Sequence, residues 1–226
     1  MIRWAKLAVA TAPGGEDLSL MQRGSEFSIM VGATELMNSR RGGSEIALAI
    51  AACGRLRDKS APQVLIGGLG MGFTLRAALA ELGASATVTV AELLPEVVSW
   101  ARGPLTEVFR GSLEDPRVRI IEEDVGGQIR SKTSAYDAIV LDVDNGPDGL
   151  VRPANGSLYD EAGLAAARRA LRPGGVLAVW SASPSAAFVR RLRVAGFEVE
   201  EVVGRSGLQR GARHLIWIAT VAAEAG

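Results

Sequence analysis

The pattern of apolar and polar residues changes along the chain, and the change falls near residue 45. From Gln63 onward, short apolar runs alternate with segments of helical composition. An apolar run of a few residues between turn residues is typical of a strand buried in a parallel sheet. The runs predict strands at Val64–Gly67, Thr87–Glu92, Val118–Glu122, Ala138–Asp142 and Val176–Ser181.

Helices are predicted between these strands, and the pattern changes again after the last of them. The predicted helical segments are Phe73–Leu82, Pro95–Ala101, a short turn at Gly126–Arg130, Glu161–Leu171 and Pro184–Ala195. Two further strands, Phe197–Val203 and His214–Val221, are joined by glycine-rich residues and predict a closing hairpin. Together these elements predict an α/β protein with a doubly wound, seven-stranded, mostly parallel sheet.

Residues 1–45 lack this alternation and predict a small N-terminal antiparallel β appendage. Its strand-like segments are Trp4–Ala10, Leu18–Gln22 and Glu26–Val31, with Arg23-Gly24-Ser25 as a hairpin turn between the last two. A helix is predicted to follow from about Glu45 to Arg57, with Ser44 as its cap. Because an exposed strand can pair with a second copy of the chain, a homodimer is one expectation for this appendage.

The composition is that of an ordinary globular protein and excludes several classes of function. Apolar residues make up 48% and charged residues 22% of the 226 residues. Lys plus Arg and Asp plus Glu both number 25, so we expect no nucleic-acid partner. No apolar stretch is long enough to cross a membrane. The single cysteine, Cys53, is predicted to be a core residue and forms no internal disulfide, which favours a cytoplasmic location.

A glycine-rich turn after the first parallel strand is the strongest functional signal. Gly68-Leu69-Gly70-Met71-Gly72 follows the strand Val64–Gly67 and precedes a predicted helix. Glu92 ends the next strand, about twenty residues after Gly72, where a carboxylate can accept both hydroxyls of a ribose. The turn lacks the Gly-Lys-Ser/Thr of a P-loop, and an adenosyl sulfonium cofactor has no phosphate to bind there. We therefore predict that residues 46–226 form a Rossmann-like, nucleoside-cofactor-binding catalytic domain.

Further motifs occur in a fixed order after this turn. They are Ile66-Gly67-Gly68 with Thr74-Leu75-Arg76, Glu92-Leu93-Leu94-Pro95-Glu96-Val97-Val98, Asp115-Pro116-Arg117-Val118, Asp124, Tyr136-Asp137-Ala138-Ile139-Val140-Leu141-Asp142, Pro147 with Leu158-Tyr159, and Leu171-Arg172-Pro173-Gly174-Gly175-Val176-Leu177. Through these motifs, over about residues 18–221, the chain resembles the spermidine synthase-like branch of the class I S-adenosylmethionine-dependent methyltransferase superfamily.

The resemblance implies a role for each matching residue. Gly68 and Gly70 are expected to pass close to the cofactor, and Glu92 is expected to bind its ribose. Asp124 matches the acidic residue near the adenine amine. Asp142 matches the carboxylate that positions and deprotonates an attacking amine. Transfer from a sulfonium requires in-line alignment and a proton acceptor, so Asp142 is the predicted catalytic residue. The structural alternative for Asp142 is a carboxylate that holds a turn.

The chain departs from the resembling family at positions that bear on the reaction. Aminopropyltransferases have an aspartate in the glycine turn, where this chain has Leu69 and Met71. Of the family's Tyr-His-Glu motif, only Glu45 remains. The loop after the fourth parallel strand also differs, because it reads Asp142-Val143-Asp144-Asn145-Gly146-Pro147. These departures favour a methyltransferase that uses intact S-adenosylmethionine and a small-molecule acceptor, with amines among the candidates.

Two other interpretations stay open. One is an aminopropyltransferase that uses decarboxylated S-adenosylmethionine and a diamine or polyamine, and the missing aspartate of the glycine turn argues against it. The other is a non-catalytic cofactor-binding protein on the same fold, and the presence of Glu92, Asp124 and Asp142 argues against it. No metal is expected, because the one histidine has no second histidine or cysteine to form a site with it.

Several other residues are weaker candidates for the substrate site. Asp144, Tyr159 and Glu45 are predicted to contact the acceptor. A turn residue is the alternative for Asp144, and packing against the following helix is the alternative for Tyr159. His214 and Trp180 are predicted to be structural residues of their strands.

Overall fold

A computed structural model describes residues 2–11, 17–143, 147, 155–205 and 213–223 of the chain. The described part contains two sheets, one with four strands and one with seven. This arrangement confirms the predicted fold class, an α/β protein with a mostly parallel seven-stranded sheet and an N-terminal antiparallel sheet.

The N-terminal sheet is entirely antiparallel, with its strands in chain order. Its strands are β1 (Ala5–Thr11), β2 (Asp17–Arg23), β3 (Glu26–Val31) and β4 (Thr34–Asn38). Gly24 turns the chain between β2 and β3 with a φ of 61°, a value that favours glycine. The strand β4 was not predicted. β1 is an edge strand that exposes Leu7 and Val9, and the homodimer expected from such an edge stays a prediction.

The seven-stranded sheet follows the predicted alternation of strands and helices. Its strands are β5 (Gln63–Gly67), β6 (Thr87–Ala91), β7 (Val118–Ile121), β8 (Tyr136–Leu141), β9 (Leu171–Ser181), β10 (Phe197–Arg205) and β11 (Arg213–Val221). Their spatial order is β10-β11-β9-β8-β5-β6-β7, and only the pairings of β11 with β9 and β10 are antiparallel. The strand order reverses between β5 and β8, and ligands of such sheets bind at the carboxyl ends of the strands at this point.

Eight α-helices connect the described strands. They are α1 (Gly43–Cys53), α2 (Phe73–Glu81), α3 (Pro95–Arg102), α4 (Thr106–Phe109), α5 (Val125–Arg130), α6 (Gly156–Tyr159), α7 (Glu161–Ala170) and α8 (Ala186–Val194). The short helices α4 and α6 were not predicted. The predicted cap at Ser44 is wrong, because α1 begins at Gly43 and its cap position is Gly42, which has no side chain to hydrogen-bond. The helix predicted to reach Arg57 ends at Cys53 and continues as a 3-10 turn.

The core lies on both faces of the seven-stranded sheet. Along β5, Val64 and Ile66 join one apolar cluster and Leu65 joins the other, as the alternation of side chains in a strand requires. Leu20 and Ile29 of the N-terminal sheet belong to the same cluster as Val64. The predicted boundary between residues 45 and 46 falls inside α1. Whether the two parts fold as separate domains stays a prediction.

Candidate functional site

The glycine turn after β5 lies close to the residues that follow β8, at the point where the strand order reverses. Gly68 has a φ of 89°, and a Cβ atom there would lie 2.8 Å from the backbone oxygen of Asp142. The amide of Asp142 in turn donates to the carbonyl of Gly67 at 3.2 Å. Gly70 has a φ of 50°, and a Cβ there would lie 3.3 Å from Sδ of Met37 on β4. Glycine at both positions therefore serves the backbone conformation and a close approach of the chain.

A cavity of about 390 Å³ opens above this turn. The glycine turn, the ends of β6 and β8, the start of α1 and one face of the N-terminal sheet all contribute to its lining. The predicted site residues in this lining are Gly68, Gly70, Glu92, Asp124, Asp142 and Glu45. Such a volume falls in the range of small-molecule sites, so the fold brings these six residues around one candidate site.

Glu92 is held in place by backbone amides. Its carboxylate accepts the amide of Leu69 at 2.9 Å through Oε2 and the amide of Leu94 at 3.0 Å through Oε1. Only 8% of Glu92 is exposed. Because an ionised carboxylate can accept about four hydrogen bonds, each oxygen of Glu92 keeps capacity for another donor. The geometry suits a ribose diol, and the role of Glu92 stays a prediction.

Asp124 caps the helix α5 and also lines the cavity. It is the N-cap of α5 and accepts the amides of Gly126 at 3.1 Å and Gly127 at 3.2 Å. Its Oδ2 also lies 3.2 Å from the guanidinium of Arg130, and both side chains are about half exposed. Asp124 therefore stabilises α5 whether or not it also accepts the adenine amine, and the second role stays a prediction.

Asp142 has the chemistry of a proton acceptor at neutral pH. Its Oδ2 accepts the hydroxyl of Thr74 at 2.8 Å. Burial raises the pKa of Asp142 to about 7, the nearby charge of Glu45 adds to the rise, and the hydrogen bond from Thr74 opposes it. A carboxylate with a pKa near the working pH can take a proton and release it again.

Glu45 lies in the first turn of α1 and lines the same end of the cavity as Asp142. Its Oε2 accepts the hydroxyl of Ser44 at 2.7 Å. Burial lowers the pKa of His214, and the charge of Glu45 opposes that effect in part, while the same charge adds to the rise in the pKa of Asp142. The close approach of α1 depends on Gly42, because a Cβ there would lie 2.1 Å from the ring of Phe73.

Trp180 and His214 also line the cavity, although the sequence predicted them to be structural. Their rings lie 4.7 Å apart between centroids and are tilted by 59°. Trp180 lies near the carboxyl end of β9, which is the ligand edge of the sheet, and this position was the signal available in the sequence. Nothing in the pattern indicated His214, because β11 runs antiparallel to its neighbour β9 and brings its first residues to that edge.

The two remaining candidates are Tyr159 and Asp144. Tyr159 is 3% exposed, packs edge-on against Phe188 at 5.8 Å and belongs to the apolar cluster on the opposite face of the sheet. This position agrees with the packing alternative for Tyr159. Asp144 lies outside the described residues.

Within the described ranges, no three His, Cys, Asp or Glu side chains are grouped as metal ligands would be. No helix in the same ranges has the length and hydropathy needed to span a membrane. The expected cytoplasmic location stays a prediction.

Comparison with known proteins identifies the family. The seven-stranded sheet and its glycine turn define a class I S-adenosylmethionine-dependent methyltransferase-like fold. Residues 47–189, more than half of the chain, match the spermine/spermidine synthase domain. The chain therefore belongs to the spermine/spermidine synthase domain family, as its motifs predicted.

Individual relatives agree with this family. The chain is 34% identical over 148 residues to the polyamine aminopropyltransferase of Mycobacterium tuberculosis, a match that covers 62% of this chain and only 27% of that protein. The spermidine synthase of Thermotoga maritima has the same fold, with a TM-score of 0.72 at 17% identity over 97% of this chain and 73% of that chain. A spermidine synthase in complex with the transition-state analogue AdoDATO gives a TM-score of 0.76 at 18% identity, over 97% and 74% of the two chains.

The preference for a methyltransferase over an aminopropyltransferase is wrong. The curated relatives that the chain matches are polyamine aminopropyltransferases, and the matching domain is that of spermine and spermidine synthases. The preference rested on the missing acid in the glycine turn, where Leu69 and Met71 stand. That argument neglected the carboxylates of Glu45 and Asp142, which come from other elements and line the same cavity.

Proposed function

We propose that the chain is an aminopropyltransferase, which moves the aminopropyl group of decarboxylated S-adenosylmethionine to an amine acceptor of the polyamine type. The observation that carries the proposal is the carboxylate of Asp142, which has a pKa of about 7 and lies beside the glycine turn. The family and the polyamine aminopropyltransferases that the chain matches support the same reaction.

The proposed reaction needs one proton acceptor. The acceptor nitrogen forms a bond to the carbon next to the sulfonium, the carbon–sulfur bond breaks, and its electron pair leaves with sulfur as neutral methylthioadenosine. A free amine is protonated at neutral pH, so its proton has to leave before the nitrogen can attack. Asp142 takes that proton, and its raised pKa brings it closer in basicity to the amine than an ordinary aspartate would be.

In the proposal, the nucleoside of the cofactor binds at the end of the cavity that Glu92 and Asp124 line. In the proposal, Glu92 accepts the two ribose hydroxyls with the capacity that its two backbone hydrogen bonds leave free. Asp124 accepts the adenine amine while it caps α5. Gly68 and Gly70 allow the backbone to approach the cofactor without a Cβ between them.

The glycine turn of this chain contributes no carboxylate to the transferred group. Leu69 and Met71 are 4% and 3% exposed and contribute apolar surface to the cavity instead. The ammonium of an aminopropyl group then has to be balanced by other acids. Glu45 and Asp142 are the carboxylates of the described residues at that end of the cavity, so the proposal assigns this charge balance to them.

A product assay tests the proposed function. Purified protein is incubated with decarboxylated S-adenosylmethionine and putrescine, and the mixture is examined by mass spectrometry for methylthioadenosine and the aminopropylated amine. Parallel samples contain intact S-adenosylmethionine, or the variant Asp142→Asn. We expect both products in the first sample, neither product with intact S-adenosylmethionine, and far less of both with Asp142→Asn. Equal amounts of methylthioadenosine with wild type and with Asp142→Asn would contradict the proposal.

A further inference from the structure

The side chain of Thr74 connects the first turn of α2 to the proposed catalytic carboxylate. Its hydroxyl donates to Oδ2 of Asp142 at 2.8 Å, across 68 positions of the sequence. Thr74 is 5% exposed and lines the cavity. A threonine in a helix commonly turns its hydroxyl back to a carbonyl of the preceding turn. Here the hydroxyl is directed to the residue that follows β8, so the contact belongs to the candidate site.

The position of Thr74 is fixed by packing next to the glycine turn. Gly72 occupies the N-cap position of α2 with a φ of 70°, and a Cβ there would lie 2.5 Å from the ring of Phe109. This close contact fixes the start of the helix two residues before Thr74. Because a β-branched side chain has few rotamers in a helix, the direction of the hydroxyl is restricted as well. The donor is therefore in place before a ligand binds.

The two carboxylate oxygens of Asp142 have different surroundings. The backbone of Asp142 is anchored to the end of β5, because its amide donates to the carbonyl of Gly67 at 3.2 Å. Thr74 holds Oδ2, and within the described residues no hydrogen bond reaches Oδ1. Asp142 is partly exposed and lines the cavity, so a ligand can reach its carboxylate. Oδ1 is therefore the oxygen with free capacity to accept a proton.

Thr74 also opposes the groups that favour protonation of Asp142. The other charged and titratable residues that line the cavity are Arg41, Glu45, Glu92, Glu123, Asp124 and His214. Burial and the charge of Glu45 raise the pKa of Asp142, whereas the hydrogen bond from Thr74 lowers it, because a donor stabilises the ionised carboxylate. Without this donor, more of Asp142 would be protonated at neutral pH and unable to accept a proton.

We propose that Thr74 is a positioning residue for the proton transfer, because its hydroxyl holds Oδ2 of Asp142 and leaves Oδ1 to accept the proton of the amine. The inference rests on the proposed function, since it presumes that Asp142 receives this proton. In the step, an N–H bond of the acceptor ammonium breaks, its electron pair stays on nitrogen, and the proton forms a bond to Oδ1. Oδ2 keeps the hydrogen bond from Thr74 as the carbonyl oxygen of the protonated acid. Thr74 thus acts through Asp142 and forms no bond to the substrate.

The pH profiles of three variants test this role. Thr74→Val keeps the shape of the side chain without the donor, Thr74→Ser keeps the donor, and Thr106→Val removes a hydroxyl from the exposed first turn of α4. With saturating decarboxylated S-adenosylmethionine and putrescine, the single-turnover rate of Thr74→Val at pH 7 should fall about tenfold, and the midpoint of its pH profile should rise by about one pH unit. Thr74→Ser and Thr106→Val should resemble wild type. A loss in Thr74→Val that is the same at every pH, or an equal loss in Thr74→Ser, would contradict the proposal.

A titration without substrates separates a failure of this inference from a failure of the proposed function. Carbon NMR of protein with isotope-labelled aspartate carboxyls follows the ionisation of Asp142, whose signal is identified by its absence from Asp142→Asn. The pKa of Asp142 should be about one pH unit higher in Thr74→Val than in wild type, and unchanged in Thr74→Ser and Thr106→Val. Equal pKa values in wild type and Thr74→Val would overturn the inference, whether or not aminopropyl transfer is observed. The expected pKa values without any transfer by wild type would instead place the failure in the proposed function.

Discussion

The two ends of the cavity are built in different ways. At the end proposed to bind the cofactor, Glu92 and Asp124 each accept two backbone amides, so their carboxylates are fixed before any ligand binds. At the end proposed to bind the acceptor, burial and the nearby charge of Glu45 raise the pKa of Asp142, and the one hydrogen bond described for the Asp142 carboxylate comes from Thr74. The first end is preorganised for binding, and the second holds a carboxylate whose proton is easily exchanged.

This difference separates the residues that contribute binding energy from the residues that contribute reactivity. Backbone amides stabilise ionised carboxylates and orient them, which suits the recognition of hydroxyl and amine donors. Burial and a like charge destabilise an ionised carboxylate, which suits a proton acceptor. Changes at the cofactor end should therefore affect affinity, and changes at the acceptor end should affect rate and pH dependence.

The largest effect is expected for Asp142→Asn. The substitution keeps the shape of the side chain and an oxygen that can accept the hydroxyl of Thr74. It removes the proton acceptor, so turnover should fall about 10²–10⁴-fold while the affinity for methylthioadenosine stays close to that of wild type. Single-turnover rates and calorimetric titration check the two quantities. A variant with full rate would remove Asp142 from the mechanism.

The complementary change at the cofactor end is Glu92→Gln. The amide keeps one oxygen acceptor but loses the charge that strengthens hydrogen bonds from hydroxyl groups, so the affinity for methylthioadenosine should fall by about 1.5–3 kcal/mol. Glu96→Gln, an exposed glutamate in the first turn of α3, is the matched control and should leave affinity unchanged. If both variants bind the nucleoside as wild type does, the ribose assignment fails.

A smaller effect is expected from a methyl group at the glycine turn. Gly68→Ala places a Cβ 2.8 Å from the carbonyl oxygen of Asp142 at a φ of 89°, so it should destabilise the protein by about 1–3 kcal/mol. Gly83→Ala is the control, because a Cβ at Gly83 meets nothing within 4 Å. Denaturant unfolding of the two variants measures the difference. Equal stability would show that the turn does not require glycine at residue 68.

The ends of the cavity also differ in how well the sequence predicts them. The glycine turn and Glu92 lie in one strand–turn–helix–strand segment, so their spacing alone predicts a cofactor site. The acceptor end combines α1, β8, β9 and β11, and no local pattern connects His214 with Glu45. The parallel strands were predicted because apolar runs mark them. β4 has only intermediate or exposed side chains, so no apolar run marks it.

The raised pKa of Asp142 predicts an effect of pH on stability. A carboxyl whose pKa rises from 3.8 in the unfolded chain to about 7 in the folded protein favours folding below pH 3.8, and this advantage is lost as pH rises through 7. Asp142→Asn should therefore stabilise the protein at pH 8, on the order of 1–2 kcal/mol after allowance for structural relaxation, and less at pH 5. Thermal unfolding at both pH values checks the sign. Destabilisation at pH 8 would indicate that Asp142 mainly holds a turn.

The pH dependence of the single-turnover rate tests the central claim most directly, namely that Asp142 accepts the proton of the amine during aminopropyl transfer. With saturating decarboxylated S-adenosylmethionine and putrescine, the wild-type rate should rise with pH and level off above about 7, the pKa of Asp142. The rate of Asp142→Asn should start lower and continue to rise toward about pH 10, where the amine itself loses its proton. Identical profiles for wild type and Asp142→Asn would contradict the account.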